Sequence, residues 1–432
     1  AMYDPVKQAL EFFKDKLTDN GTLVIAIENQ LGLKFFAGFS EDHNGIKYDG
    51  IAGYPALGRS HPMTFSKRSL SHHIKDAGFP SIEFYYPFPD YKFPECIISN
   101  RLFENDENIN VGEMIGQYKS VDYLRKHMDE FNEKLSWWEL GQAGLVPDIA
   151  NSFIVLAGNS ISSAHISAPW EVKLFNQNRG KRLSSVTTFM REGETLIGQK
   201  SFPYYSLDDI KSAGSGKLEI KQETVPWIYG ASLSFELEKS MASLSFSTEK
   251  FANSLEPWVR FLAGDGTVAA ETSVSGDYLD AMPWNLIPTD EGFQFIDHEL
   301  RWKDKIPLSI CVTRGIYYMV ERNFEKYGYF TGYAFKSVRA IVLDTCNRIF
   351  SSYGVGNLDE FVRFETELGN AITGKPASHI RQYIKMRLRK RVLPIRFLIR
   401  KITNKMFRLF YHLHSAFAIL LRGFLIKRLY KK

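Results

Sequence analysis

Cysteine is scarce. The chain has three in 432 residues, Cys96, Cys311 and Cys346, at spacings that suit neither a disulfide framework nor a zinc ligand set. That scarcity fits a reducing compartment. Long apolar runs are missing as well. No stretch reaches the roughly 20 apolar residues of a spanning helix, and no signal-peptide pattern opens the chain, which begins at Ala1 rather than Met. A cytoplasmic location is the resulting expectation. Acids are missing from residues 381–432, which carry 16 Lys/Arg and no Asp/Glu; the residues before them carry 38 basic against 49 acidic side chains. The net charge of +5 thus hides an acidic body and a basic tail.

What is present is globular. Apolar residues make up 44% and charged ones 24%, enough for two or three domains with real cores and unlike a disordered chain. The 14% aromatic content suits planar-face contacts to a glycan and aromatic cores equally well.

In the first hundred residues, Val6, Ala9, Leu10, Phe13 and Leu17 recur at helical spacing over Asp4–Leu17. Asp19-Asn20-Gly21 reads as a turn. Thr22–Ile27 (TLVIAI) reads as a fully apolar strand of the kind buried in a parallel sheet. A helix over Ser66–Ala77, capped by Ser66 and closed by Gly78, precedes strands over Ser81–Tyr86 and Cys96–Ser99. The segments GTLVIAIENQLGLKFFAG, EDHNGIKYDGIAGYP, MTFSKRSLSHHIKDAGF and EFYYPFPDYKFP resemble the methyltransferase module of bacterial surface-polysaccharide enzymes, over about 100 residues. The resemblance implies the C-terminal half of a class I, Rossmann-like fold that uses S-adenosylmethionine. It puts Glu28, Asn29, Glu41, Asp42 and His43 on the acceptor-side loop. Taken singly, each of them suits an ordinary satisfied loop residue better. The family's glycine-rich cofactor loop would lie upstream of Tyr3, so methyl transfer is not expected from this polypeptide alone.

Asp106–Gly141 is polar with a loose helical stripe (Met114, Tyr118, Tyr123, Leu124, Met128) and reads as a connector ending near Pro147. Ser152–Ala157 is a strand, and Trp170–Phe202 reads as an antiparallel meander with turns at NRGK and Gly193. Trp227–Leu237 is expected to pass between two lobes, and Ala242–Phe261 to form a helix.

The stretch Ser275–Trp302 (SGDYLDAMPWNLIPTDEGFQFIDHELRW) spaces Asp280, Asn285 and Asp297 as phosphoryl transfer requires: one carboxylate for a hydroxyl proton, an amide and a second carboxylate for Mg²⁺. The same spacing also suits a plain hairpin with surface acids. The segment resembles the catalytic stretch of the kinase and aminoglycoside-phosphotransferase superfamily. That resemblance implies Asp280 as general base, with Asp277 as a second choice, and Asn285 and Asp297 as Mg²⁺ ligands. Lys200 would be the ATP-contacting lysine, with Lys173 as runner-up. Two departures stand out: Tyr278 replaces the usual His, and His298-Glu299 replaces Phe-Gly. Neither lysine lies in a V-A-I-K context, and no G-x-G-x-x-G loop precedes them. An apolar helix over Pro307–Val320 follows.

Ile380–Lys432 is basic and amphipathic, broken at Pro394, with Ile395, Phe397, Leu398, Ile402, Met406, Leu409 and Phe410 among its apolar positions. Its longest uncharged run, Leu409–Leu421, has 13 residues. It reads as an interfacial anchor for an anionic membrane surface rather than a nucleic-acid arm.

The expected organisation is therefore a partial methyltransferase-like module (1–105), a helical connector (106–150), an α+β kinase-like two-lobed domain (151–375) and a basic tail (376–432). A methyltransferase module followed by a kinase-like one resembles the bifunctional enzymes that cap O-antigen chains. The resemblance implies a transferase acting on a lipid-linked glycan or other saccharide at the inner face of the plasma membrane, using Mg²⁺ and ATP. The alternative is a catalytically silent kinase-like scaffold that holds a glycan or recruits a glycosyltransferase. No nucleic-acid partner is expected.

Overall fold

The computed structural model describes residues 4–56, 62–121, 123, 131–161, 169–176, 178–206, 216–221, 224–243, 245–327 and 336–391. The fold is mixed α/β, with one large antiparallel sheet and a body of helices.

Asp4 caps helix α1 (Pro5–Lys16) by accepting from the N–H groups of Val6 and Lys7. Strand β1 (Thr22–Glu28) follows, then helix α2 (Lys67–Asp76), capped by Ser66, and strands β2 (Ser81–Phe88) and β3 (Cys96–Ser99). Helices α3 (Gly112–Gly116) and α4 (Glu133–Gln142) lead to β4 (Ser152–Gly158), β5 (Trp170–Asn176), β6 (Ser185–Glu192) and β7 (Thr195–Ser201). Short strands β8 (Leu218–Ile220) and β9 (Thr224–Pro226) complete this part. The sheet order is β1-β4-β2-β3-β5-β6-β7-β9, antiparallel throughout.

That order corrects two expectations. Strand β1 is not buried in a parallel sheet. It runs in the direction of β2, with α2 in the crossover, but β4 fills the slot between them and pairs with both. Its only strand partner among the described residues is therefore β4, and Val24 is 61% exposed. Seven apolar residues look alike whether one face or two are covered; only tertiary pairing decides. The boundary at 150 is also displaced. Strand β4 belongs to the same sheet as β1 and β2, and one apolar core runs from Leu10 to Leu196. The expected connector is part of it, with Ile109, Val111, Ile115 and Trp137 buried in that core. Helices α3 and α4 pack so tightly that a Cβ on Gly112 would sit 2.2 Å from the Trp137 carbonyl. The meander of β5, β6 and β7 forms as expected.

The second core spans Leu183 to Leu388. It is built on α5 (Leu233–Ala242), α6 (Thr248–Ala263), α7 (Leu308–Tyr327), α8 (Val338–Ile349), α9 (Val355–Thr373) and α10 (Ala377–Arg389). Trp227–Leu237 is not a plain passage between lobes: α5 begins within it, at Leu233, and the helix expected over Ala242–Phe261 forms as α6, from Thr248. Between α6 and α7 lie β10 (Ser273–Val274), the hairpin β11 (Leu286–Thr289) and β12 (Gly292–Phe295), then β13 (Leu300–Trp302) and β14 (Ile306–Pro307). The two cores are stitched by buried polar contacts. Lys134 Nζ lies 2.7 Å from Glu238 Oε1, and the Ser232 N–H donates to Glu113 at 2.7 Å. No helix of the described residues is long and apolar enough to cross a membrane. The tail positions from Ile395 onward fall outside the described residues.

Candidate functional site

The hairpin predicted over Ser275–Trp302 forms, with β11 and β12 in antiparallel register from Leu286↔Phe295 to Thr289↔Gly292. The turn before it is held rigidly. Trp258 on α6 donates its indole N–H to the Ala281 carbonyl at 2.8 Å, and Arg314 on α7 donates to the Leu279 carbonyl at 2.6 Å. Arg314 is buried and paired with Glu365 on α9 at 2.7 Å, so three helices converge on the backbone around Asp280. Close packing permits this. A Cβ on Gly276 would lie 1.7 Å from the Trp302 carbonyl, and one on Gly315 would lie 2.3 Å from the Trp258 ring.

Asp280, Asn285 and Asp297 are brought into one region, with Lys200 added from β7. Asn285 is buried and donates through Nδ2 to the Asp280 carbonyl at 3.0 Å. The Asp280 carboxylate accepts from the N–H of Glu299 at 3.2 Å and from the N–H of Leu300. Lys200 Nζ lies 3.0 Å from Asp297 and 2.8 Å from Glu299. Arg179, on the β5–β6 turn, lies 2.6 Å from the other Glu299 oxygen. Glu299 is buried, whereas the Asp297 side chain is 46% exposed and turns outward.

The electrostatics follow from this crowding. Burial pushes the Asp280 carboxyl up to about 7, helped by the negative charges of Asp297 and Glu299 and opposed by the Leu300 N–H and Arg179. Burial works against ionised Glu299 too, but Arg179 and Lys200 more than offset it and hold that carboxyl low. The Lys200 ammonium is likewise held charged by Asp297 and Glu299 against the penalty of its burial. One acid is poised to exchange a proton near neutrality while Glu299, Lys200 and Arg179 stay charged.

Asp277 is a weaker base. Its hydrogen bond from Lys221, at 2.8 Å, and a second from Ser275 hold its carboxyl below the usual range. Lys173 is not part of the cluster; it lies over the Trp170 ring, 4.8 Å from its centroid. Sequence reasoning missed Arg179, Arg314 and Trp258. A lone Arg in the otherwise apolar run PLSICVTRGIYYMV was the available signal for Arg314, since a buried guanidinium implies a buried acid. Arg179 sat in a segment legible only as a turn.

Asn285 and Asp297 offer an amide and a half-exposed carboxylate paired through one oxygen with Lys200, hard oxygen donors suited to Mg²⁺ shared with a phosphate. Among the described residues no group of three or more His, Cys, Asp or Glu could hold a metal by itself. The crevice lined by Lys200, Lys221, Val225, Asp297, His298 and Glu299 is small, about 10 Å³, room for one water.

The N-terminal candidates divide. Glu28 is buried against Lys34 at 2.9 Å and Lys92 at 3.3 Å, and Lys92 also reaches Asp42 at 2.7 Å. Glu41 is buried beside them with neither oxygen hydrogen-bonded; burial, then the Glu28 charge, pushes its carboxyl up to about 7. Asn29 is structural: it donates to the carbonyls of Asp148 and Ala150, both at 2.8 Å, and accepts from Leu31. His43 is exposed. Comparison with protein-family models, with curated proteins and with solved structures found no match for this chain.

Proposed function

We propose that the chain transfers a phosphoryl group from Mg-ATP to a hydroxyl of a saccharide acceptor. The observation that carries this reading is the convergence of Lys200, Asp297 and Glu299 beside an Asp280 carboxyl raised to about 7. A general base works best with a pKa near the operating pH. In this reading the Asp280 carboxylate accepts the acceptor hydroxyl's proton as that oxygen bonds to the γ-phosphorus. The bond from phosphorus to the β–γ bridging oxygen breaks, ADP leaves, and Asp280 later returns its proton to solvent. Lys200 would contact the nucleotide's phosphates, and Asp297 with the amide oxygen of Asn285 would hold Mg²⁺. The ion would neutralise charge on the transferring phosphoryl oxygens. Glu299 orients the site indirectly, anchoring Lys200 and Arg179.

A second reading, a silent scaffold that holds a glycan or recruits a glycosyltransferase, is favoured by the 10 Å³ crevice, which is far smaller than a nucleotide. Measuring phosphate transfer from ATP to short saccharides, with Asp280→Ala and Asp297→Ala as controls, separates the two.

The methyltransferase part of the resemblance adds the acids Glu28, Glu41 and Asp42. Among the described residues it adds no group that fits S-adenosylmethionine, so no step is derived through that cofactor. The sixteen basic residues of 381–432 support action at the anionic inner face of the plasma membrane, where lipid-linked glycans are assembled. Flotation with anionic vesicles tests this: a full-length chain floating no better than one truncated after Lys375 contradicts it.

A further inference from the structure

Helix α10 carries no acid, and its outward face is positive. The inner stripe is fixed: Ile384 and Leu388 are buried in the second core. Ile380 packs so close to α9 that a Cβ on Gly369 would sit 3.0 Å from its side chain. Arg387, also on the inner side, pairs with Glu321 on α7. Outward stand Arg381, Lys385 and Arg389, which recur every four residues and therefore line one edge of the helix. All three are exposed, and among the described residues none pairs with an acid. Beside them lie Tyr383 and Met386, 54% and 57% exposed. Large apolar side chains on a helix face whose exposed charges are all positive make up the composition of a helix that lies in a membrane interface.

We propose that this face of α10 lies on an anionic lipid surface. Tyr383 and Met386 enter the headgroup layer, and Arg381, Lys385 and Arg389 rest on lipid phosphates. The proposal rests on the membrane part of the reading above and goes beyond it: the contact is made by a helix built into the second core, not only by the basic stretch that follows. Charge complementarity selects the occupant, since no Asp or Glu occurs from 381 to 432. A nucleic-acid strand would satisfy the same cations but offers no apolar layer in which Met386 could be buried.

The contact also orients the candidate site. Helix α9, on which α10 is packed, carries Glu365, and Glu365 holds Arg314 at 2.7 Å. Arg314 in turn donates to the Leu279 carbonyl at 2.6 Å. The lipid-facing helix and the backbone around Asp280 are thus joined through one closely packed helix pair. That arrangement holds the site at one distance from the surface, which suits an acceptor carried on a lipid.

The test is flotation of the full chain with vesicles of phosphatidylcholine and phosphatidylglycerol in equal parts. Arg381→Gln/Lys385→Gln/Arg389→Gln alters only exposed side chains, and an unchanged melting temperature verifies that it folds. The expected result is partition onto these vesicles that falls roughly tenfold or more in the triple variant. A second readout is an environment-sensitive fluorophore on Met386→Cys; Cys96, Cys311 and Cys346 are buried, so the label takes the new thiol. Its emission should shift to the blue when vesicles are added. Equal flotation of wild type and triple variant, or no shift of the label, overturns the proposal and leaves the membrane reading to the residues after 391. A wild type that does not float removes both. Binding of a short RNA that is lost in the triple variant, with no shift of the label on vesicles, assigns the face to nucleic acid and likewise overturns the proposal.

Discussion

Lys200 and Asp297, 97 residues apart in the chain, are held 3.0 Å apart by a strand from the sheet and a hairpin from the helical body. The contact joins the two cores at the point where the candidate chemistry sits. Lys200 also holds buried Glu299, so Lys200→Met leaves that carboxylate with Arg179 alone. A loss of about 1.5–3 kcal/mol is expected in denaturant unfolding, since one of the two charge-assisted contacts of the buried carboxylate is removed while Arg179 keeps it paired. Nucleotide binding should fall with it. A variant as stable as wild type would show that the pair is not a structural clasp.

Glu41 should reveal itself through pH. Its carboxyl stands at about 7 in the fold and at 4.5 ordinarily. A raised acid pKa means that the native state keeps a proton the unfolded chain has released. The group's favourable contribution is therefore complete below about pH 4 and declines as pH rises to about 7. Glu41→Gln removes that titration. The variant should exceed wild type in stability by about 1–3 kcal/mol at pH 8 and match it at pH 4. A pH-independent difference contradicts the assignment. Asp280, raised in the same direction, adds its own decline over the same window and should set a rise in activity through neutrality.

The tight backbone around Asp280 leaves no room for a methyl group. With its Cβ 1.7 Å from the Trp302 carbonyl, Gly276→Ala should cost about 3 kcal/mol or more, seen as a fall in the urea midpoint. A variant with unchanged midpoint would mean that the turn and β13 can separate freely.

Trp258 acts on the turn through a single hydrogen bond to the Ala281 carbonyl. Trp258→Phe keeps the aromatic packing and strands that carbonyl, at about 1–3 kcal/mol. As a positioning residue it should lower kcat while leaving the KM for ATP nearly unchanged. Equal changes in both would instead place Trp258 in nucleotide binding.

Local structure was largely legible in the sequence because local rules set it. Helix α1 starts at the Asp4 cap and α2 at the Ser66 cap, and Cys96–Ser99 is a strand as read. The spacing of Asp280, Asn285 and Asp297 identified the stretch that gathers at the site, and Lys200 was placed on the strand that reaches it. Pairing across distance was not legible. Nothing in TLVIAI distinguishes a buried parallel strand from an edge strand with β4 on one side. Residues 109–137 read as a polar connector because their buried groups, Trp137 and Ile115 among them, follow no clean helical period. Two short helices in contact through Gly112 and Gly116 need none. Arg179 and Glu299 could not be paired from sequence, because a turn residue and a strand-edge acid carry no mark of each other.

The most direct test is Mg-ATP itself. Wild type should bind millimolar or tighter Mg-ATP and transfer phosphate to a saccharide. Asp280→Asn should retain nucleotide binding but lose about 10²–10⁴-fold in turnover, and Asp297→Ala should lose both. Absence of nucleotide binding at millimolar Mg-ATP, or turnover unchanged in Asp280→Asn, would contradict the assignment of phosphoryl transfer to this cluster.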